Sequence, residues 1–316
     1  VTTTNLIYGN KSKVTVTFSE GIAELLSTHF TVENGEISDP DSDDGVVWTF
    51  DLTPTIGIED PTNLIVLDNT AVVDFAGNAG VGTTQSNNYF IDTNVPNASI
   101  VVLDSVLTIG KSSVVVITFH EAISGMDYDA ISVDSGHVLT DLESSDGITW
   151  TITFIPMNDR EHASNTIRFY NWRVTDAAGN AGISTSTSNT YIVDTKAPVV
   201  STKNITVQLD SSGSIEITAD MVDDGSSDGF DIASMTLSQT NFDCSHLGAN
   251  TLTLTVTDEY GNSDSAEAIV TVEDTTPPVV VTRNITIQLD DTGNASITVA
   301  GIDNGSADAC GIASMT

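Results

Sequence analysis

Three copies of one connector divide this chain of 316 residues. They read Ile91-Asp92-Thr93-Asn94-Val95-Pro96, then Ile192-Val193-Asp194-Thr195-Lys196-Ala197-Pro198, then Glu273-Asp274-Thr275-Thr276-Pro277-Pro278. Each follows an alternating apolar segment and precedes a new one. Proline cannot donate to a sheet ladder, and it holds the residue before it extended. The connectors therefore end one β-module and launch the next. Their aspartates lie 194 − 92 = 102 and 274 − 194 = 80 residues apart, and both intervals are the size of a domain.

Between the connectors the chain predicts strands only. In residues 1–97, Val14–Phe18, Val47–Leu52, Leu64–Leu67 and Tyr89–Ile91 alternate, with turn-formers Asn34-Gly35, Asp39-Pro40 and Asp43-Asp44-Gly45 between them. Short alternating strands at this spacing predict an antiparallel sandwich. Residues 98–198 repeat the module. Phe18-Ser19-Glu20 returns as Phe119-His120-Glu121, Trp48 as Trp150, and the Asp74–Gly80 loop as Asp176–Gly182. The offset is 101 or 102 residues, the mark of an internal duplication. Residues 199–277 form a second module type. Asn204–Asp210 recurs 80 residues later as Asn284–Asp290, and Ile232–Thr236 as Ile312–Thr316. Residues 278–316 thus begin a fourth module, expected to be poorly ordered or completed by further sequence.

The charge narrows the function. With 44 acidic and 9 basic residues the net charge is −35, while charged residues make up only 17% of the chain. The bias comes from missing lysine and arginine. Such a surface repels nucleic acid and anionic membranes and attracts cations, so no nucleic-acid partner is expected. His29, His120, His137, His162 and His246 have no metal-ligand spacing, and no nucleophile elbow, phosphate loop or C-x-x-C pair occurs. With each module repeating its neighbour, a unique active site has no evident home, and the chain is expected not to be an enzyme.

The strand ending in Phe18–Glu20, the loop Thr175–Asn180 and the linker Asp194–Pro198 resemble the bacterial immunoglobulin-like repeats of giant surface adhesins. Asn204–Asp210, Asp223–Asp228 and Thr257–Asn262 resemble the hyalin-repeat type of immunoglobulin-like module. The resemblance implies an all-β fold of tandem immunoglobulin-like antiparallel β-sandwiches joined by short Asp/Pro linkers, with an extracellular or cell-surface location. It also implies that the cysteine after the acidic loop pairs with one in the following F-D-C segment of the same module. Here Phe230 stands where the next module has Cys310. Cys244 and Cys310 are therefore both expected to be free thiols.

In such a sandwich the end of the second strand and the late loop share one pole with the incoming linker. Glu121, Asp176 and Asn180 would meet Asp92 and Asn94 there, a set of hard oxygen donors suited to Ca²⁺. The equivalent set at the next junction is Asp194 with Asp220 and Asp258, and module one keeps Glu20, Asp74 and Asn78. Each aspartate also reads as a turn-former, since Asp and Asn bond their own backbone. The acidic loop Asp223–Asp228 reads equally as a solvated loop.

The chain is accordingly read as a stalk or spacer segment of a large extracellular adhesin or surface filament, stiffened by Ca²⁺ between modules, with neighbouring modules of a longer chain as its first partners. Two other readings stay open. One is a module binding a carbohydrate or cell-surface receptor, for which Tyr170 and Trp172 are the aromatic candidates. The other is a subunit that self-associates laterally into a fibre or ring. Trp48 and Trp150, on alternating strands, are expected to pack in the cores.

Overall fold

The structure, a computed structural model, describes residues 1–134 and 137–316. Packing gathers the chain into two compact units. One holds residues 1–107, 111–157 and 162–193, and the other holds residues 108–110, 158–161 and 194–316.

The first unit contains the duplicated pair of sandwiches. In the first module, strand Val47–Pro54 lies between Ser12–Thr17 and Gly35–Ile37, while Ile65–Asp68 lies between Phe30–Val32 and Thr83–Gln85. In the second, Thr149–Pro156 lies between Ser113–Thr118 and His137–Ser144, and Ser99–Val102 adds a fourth strand beside Ser113–Thr118. Successive side chains of a strand point to opposite faces, so Val115 and Ile117 turn inward with Ile152 and Phe154 and are almost completely buried. In module one Leu6, Phe50, Leu52, Tyr89 and Ile91 do the same. Trp48 and Trp150 are half-buried at the margins of these cores, and their indole N–H groups donate to the carbonyls of Gly45 and Gly147. The turn before each is held by one aspartate. Asp44 Oδ1 accepts from the N–H groups of Val46 and Val47, and Asp146 Oδ1 from those of Ile148 and Thr149.

The sheets are not wholly antiparallel. Asn5–Ile7 runs parallel to Phe90–Asp92, and Ile205–Gln208 runs parallel to Val270–Glu273. The chain enters and leaves a module in the same direction, so a first strand placed beside the last must be parallel to it.

The second unit is built on one long hairpin, Gly248–Asp258 paired with Ser263–Glu273. Its inward residues Leu252, Leu254, Val256, Ala268, Val270 and Val272 form the core with Val207, Val222 and Phe242. Residues 278–316 repeat the opening pattern of this module without a strand ladder among the described residues. The bridges Val279↔Ala307 and Thr282↔Asp303 reproduce Val199↔Ser227 and Thr202↔Asp223. Ile285, Ile287, Leu289 and Ile297 remain exposed.

The cysteines overturn the free-thiol expectation. Cys244 and Cys310 are joined by a disulfide, with their Cα atoms 5.2 Å apart and a sequence separation of 66. The loop carrying Cys310 lies against the turn Asp210–Gly213 of the preceding module. A Cβ on Gly213 would stand 2.9 Å from Cys244 Sγ and 3.0 Å from Ala309 Cβ, so the missing side chain there is what lets the two loops meet.

Candidate cation sites

Each late loop is a turn built by one aspartate. Asp176 Oδ1 accepts from the N–H groups of Gly179 and Asn180 at 2.7 and 2.9 Å, and its Oδ2 accepts from Asn180 Nδ2 at 2.8 Å. Asp258 makes the same turn with Tyr260 and Asn262, and Asp74 with Ala76 and Asn78. The turn reading of these aspartates is therefore correct. It does not exclude a second role, because each turn sits where a linker can arrive.

In the first unit the linker does arrive. Carboxylate oxygens of Asp92, Glu121 and Asp176 lie within 4.8 Å of one another, and Asp92 and Asp176 are buried. Asp92 closes strand Tyr89–Asp92, Asp176 closes the two-residue strand Thr175–Asp176, and Ile123↔Asp176 pairing brings Glu121 alongside. Burial, then repulsion from Asp176, pushes the carboxyls of both Asp92 and Glu121 above the usual range. His120 Nε2 stands 2.6 Å from Glu121 Oε1, with the histidine itself about half exposed. Asn180 is a fastener. Its Nδ2 donates to the Asp92 carbonyl at 3.0 Å and its Oδ1 accepts from Tyr8 N–H at 2.7 Å. Asn94 donates its N–H to Asp92 Oδ1, and its own side-chain oxygen faces Gly57.

The second unit repeats the arrangement with one change of residue. Asp194, Asp228 and Asp258 lie within 4.8 Å of one another. Asn262 Nδ2 donates to the Asp194 carbonyl and to Asp258 Oδ2, and its Oδ1 accepts from Ile109 N–H. Asp220, expected here, lies outside the cluster: it is exposed in the four-residue helix Ala219–Val222. Asp228, the last residue of the acidic loop, occupies the place instead. Asp194 is fully buried, yet its Oδ2 has no hydrogen-bond partner, and neither has Asp228 Oδ1. Burial first, and repulsion from Asp258, Asp228 and Glu161 after it, raises the Asp194 carboxyl to about 6. Glu161 stands beside the cluster, held by Lys196 Nζ at 2.6 Å and Gly229 N–H at 2.8 Å.

A buried carboxylate oxygen without a donor costs several kcal/mol by the order of magnitude for unpaired buried charge. A cation removes that cost. Ca²⁺ lies roughly 2.3–2.6 Å from its oxygen ligands, and oxygens within 4.8 Å of one another can share one ion at that distance. Asp274 and Asp308 also approach each other, as the counterparts of Asp194 and Asp228 shifted by 80. The third group beside them, Cys310, is in a disulfide and offers no thiolate.

Glu20, Asp74 and Asn78 of module one line one cavity of about 330 Å³ with Phe18 and Ile22. No third acid joins them among the described residues, and hydrogen bonds from Asn78 hold Asp74 below the usual carboxylate range. Tyr170 and Trp172 stack at 4.8 Å, with Trp172 half-exposed.

A profile of the bacterial Ig-like domain matches residues 1–91 and 92–193. The chain belongs to that family. No curated protein sequence matches this bacterial Ig-like chain. Among solved structures, the I-band fragment I67–I69 from titin covers 86% of this chain and 95% of its own, at 8% identity and TM-score 0.38. FdeC, an Escherichia coli adhesin, covers 83% and 73% at 10% identity and TM-score 0.28. Cadherin domains 1–4 of protocadherin gamma B7 cover 83% and 70% at 12% identity and TM-score 0.29. No helix among the described residues is long and apolar enough to cross a membrane.

Three participants were missed from sequence. Glu59 and Glu161, 102 residues apart, stand at corresponding places, and each raises the carboxyl of its linker aspartate. Their neighbours differ between the copies, so persistence of the glutamate through the duplication was a usable signal. Asp228 recurs as Asp308, also a signal, hidden by an acidic loop that solvent explains as well.

Proposed function

We propose that this chain is a non-catalytic spacer segment of an extracellular bacterial surface protein, and that Ca²⁺ stiffens it at the acidic clusters. The observation that carries the reading is Asp194 Oδ2, fully buried, without a donor, beside Asp228 and Asp258. Asp92, Glu121 and Asp176 would hold a second ion, with Asn180 and Asn262 positioning the linkers and not ligating. Oxygen-only donors favour Ca²⁺ over Zn²⁺, which prefers Cys and His. A bound Ca²⁺ supplies two positive charges that offset the repulsion among buried acids. Membership of the bacterial Ig-like family and the duplication support the spacer role. A disulfide supports a location outside the reducing cytosol.

Small-angle scattering of the whole chain in Ca²⁺ and in chelator tests the stiffening. The reading expects a longer maximum dimension with Ca²⁺. Superimposable profiles would reduce the acids to turn and packing residues. A receptor-binding role for the Tyr170–Trp172 stack is a lesser reading, tested by a glycan array with Trp172→Ala as control.

A further inference from the structure

The disulfide and the strand register fix which cysteines of this module type can pair. Position 230 in module three and position 310 in module four are the same place. Both follow the acidic loop, and in both an aspartate two residues earlier accepts the backbone N–H, Asp228 Oδ2 from Phe230 and Asp308 Oδ1 from Cys310. Position 230 lies at one pole of its module: Ile232 pairs with Asp258, and the Phe230 ring meets Tyr260 edge-on at 4.9 Å. Cys244 lies at the other pole. It opens the turn Cys244–His246, whose last carbonyl accepts from Asn250 Nδ2, next to Gly248 at the start of the same long strand. Ten residue steps from Gly248 to Asp258 separate the poles by roughly 30 Å at about 3.3 Å per step. A disulfide tolerates about 7 Å between Cα atoms. Pairing within one module is therefore closed by the fold.

The residue chosen at this place follows the module before it. Module two has no cysteine to offer, and module three carries Phe230. Module three offers Cys244, and module four carries Cys310. We propose that Cys244–Cys310 is a covalent clasp between consecutive modules of the second type, in which a cysteine after the acidic loop always pairs backwards. The clasp forms by thiol–disulfide exchange with an external disulfide. Cys244 or Cys310 thiolate attacks it, and the other cysteine displaces the mixed disulfide, so two thiols are oxidised and the external disulfide is reduced to two thiols. In a spacer under tension the clasp takes the load past the proline linker and keeps the segment between the cysteines from extending. That mechanical role rests on the spacer reading, whereas the pairing does not.

Non-reducing peptide mapping of the full chain tests the pairing, and single-molecule stretching from its two termini tests the role. Mapping is expected to find Cys244 joined to Cys310 of the same chain. Stretching is expected to give a fully extended chain about 230 Å longer in reductant than without it, since the clasp spans a sequence separation of 66 at about 3.5 Å per residue step. Cys310→Ser should show the longer length in both conditions. This readout survives even if the variant folds poorly, because it is taken on the unfolded chain. Free thiols, a bond between two chains, or equal extended lengths with and without reductant would overturn the clasp. Failure of the scattering test with the clasp intact would count against Ca²⁺ stiffening alone.

Discussion

Asn180 Nδ2 donates to the main-chain carbonyl of Asp92 at 3.0 Å, and Asn262 Nδ2 does the same for Asp194 at 3.2 Å. The asparagine in each of these two loops thus completes its own aspartate turn and fastens the linker strand. The linker is also pinned further on, where Asn171 Oδ1 accepts from Ala98 N–H and Asn171 Nδ2 donates to Asn97 Oδ1.

Asn180→Ala should destabilise the first unit. It strands the buried Asp92 carbonyl and the Tyr8 N–H, and an unsatisfied buried partner costs about 1–3 kcal/mol. Asn78→Ala removes the matching exposed side chain of module one and should shift the thermal midpoint much less. Melting of the two full-length variants side by side checks the order. Equal shifts would mean that the link to the linker contributes nothing.

Gly229→Ala should disturb the second cluster from outside it. A Cβ there would lie 2.5 Å from Glu161 Oε1, against a carboxylate already tied to Lys196. Forcing a methyl into a filled space costs about 1–3 kcal/mol. The expected result is a lower melting temperature and weaker Ca²⁺ stabilisation. Ala309 occupies the same place in the next module, so Ala309→Gly should leave the second cluster unaffected.

The pH dependence follows from the direction of the shifts. The Asp194 carboxyl rises from the ordinary 3.8 to about 6 in the folded chain, and Asp92, Glu121 and Asp228 shift the same way. A raised carboxyl binds its proton more tightly when folded. Its stabilising contribution is complete below about pH 4 and is lost as pH rises through about 6. In chelator the chain should therefore melt higher at pH 5 than at pH 7.5, as far as these groups decide it. Ca²⁺ needs the deprotonated form, so its stabilisation should grow over the same interval. A Ca²⁺ effect as large at pH 5 as at pH 7.5 would place the ion elsewhere.

The sequence made the fold readable because alternation and duplication report it twice. Val14–Phe18 and Ser113–Thr118 show period two, and Asp74 and Asp176 repeat one turn. Asp92, Glu121 and Asp176 were also legible as a set, since strand polarity brings them to one pole. The second cluster was less so. Asp220 and Asp228 lie eight residues apart in a polar stretch, and nothing local tells a helix residue facing solvent from a loop residue facing the linker. The disulfide was misread for a related reason. The resemblance to the second module type implied pairing within a module, while the length of strand Gly248–Asp258 forbids it. That length became decisive only with the register known.

A cation held at Asp194 should reverse the effect of removing that side chain's charge. Scanning calorimetry of the wild-type chain and Asp194→Asn, each at pH 7.5 in chelator and in millimolar Ca²⁺, tests it most directly. Asparagine keeps the shape and removes the buried charge. In chelator the variant should melt higher than wild type, because repulsion from Asp228 and Asp258 is relieved. In Ca²⁺ the order should reverse, since wild type gains RT ln(1 + [L]/Kd), about 2.7 kcal/mol at a hundredfold excess over Kd, and the variant gains less. Wild-type melting that is the same with and without Ca²⁺, or an order of the two proteins that does not change, would contradict the account.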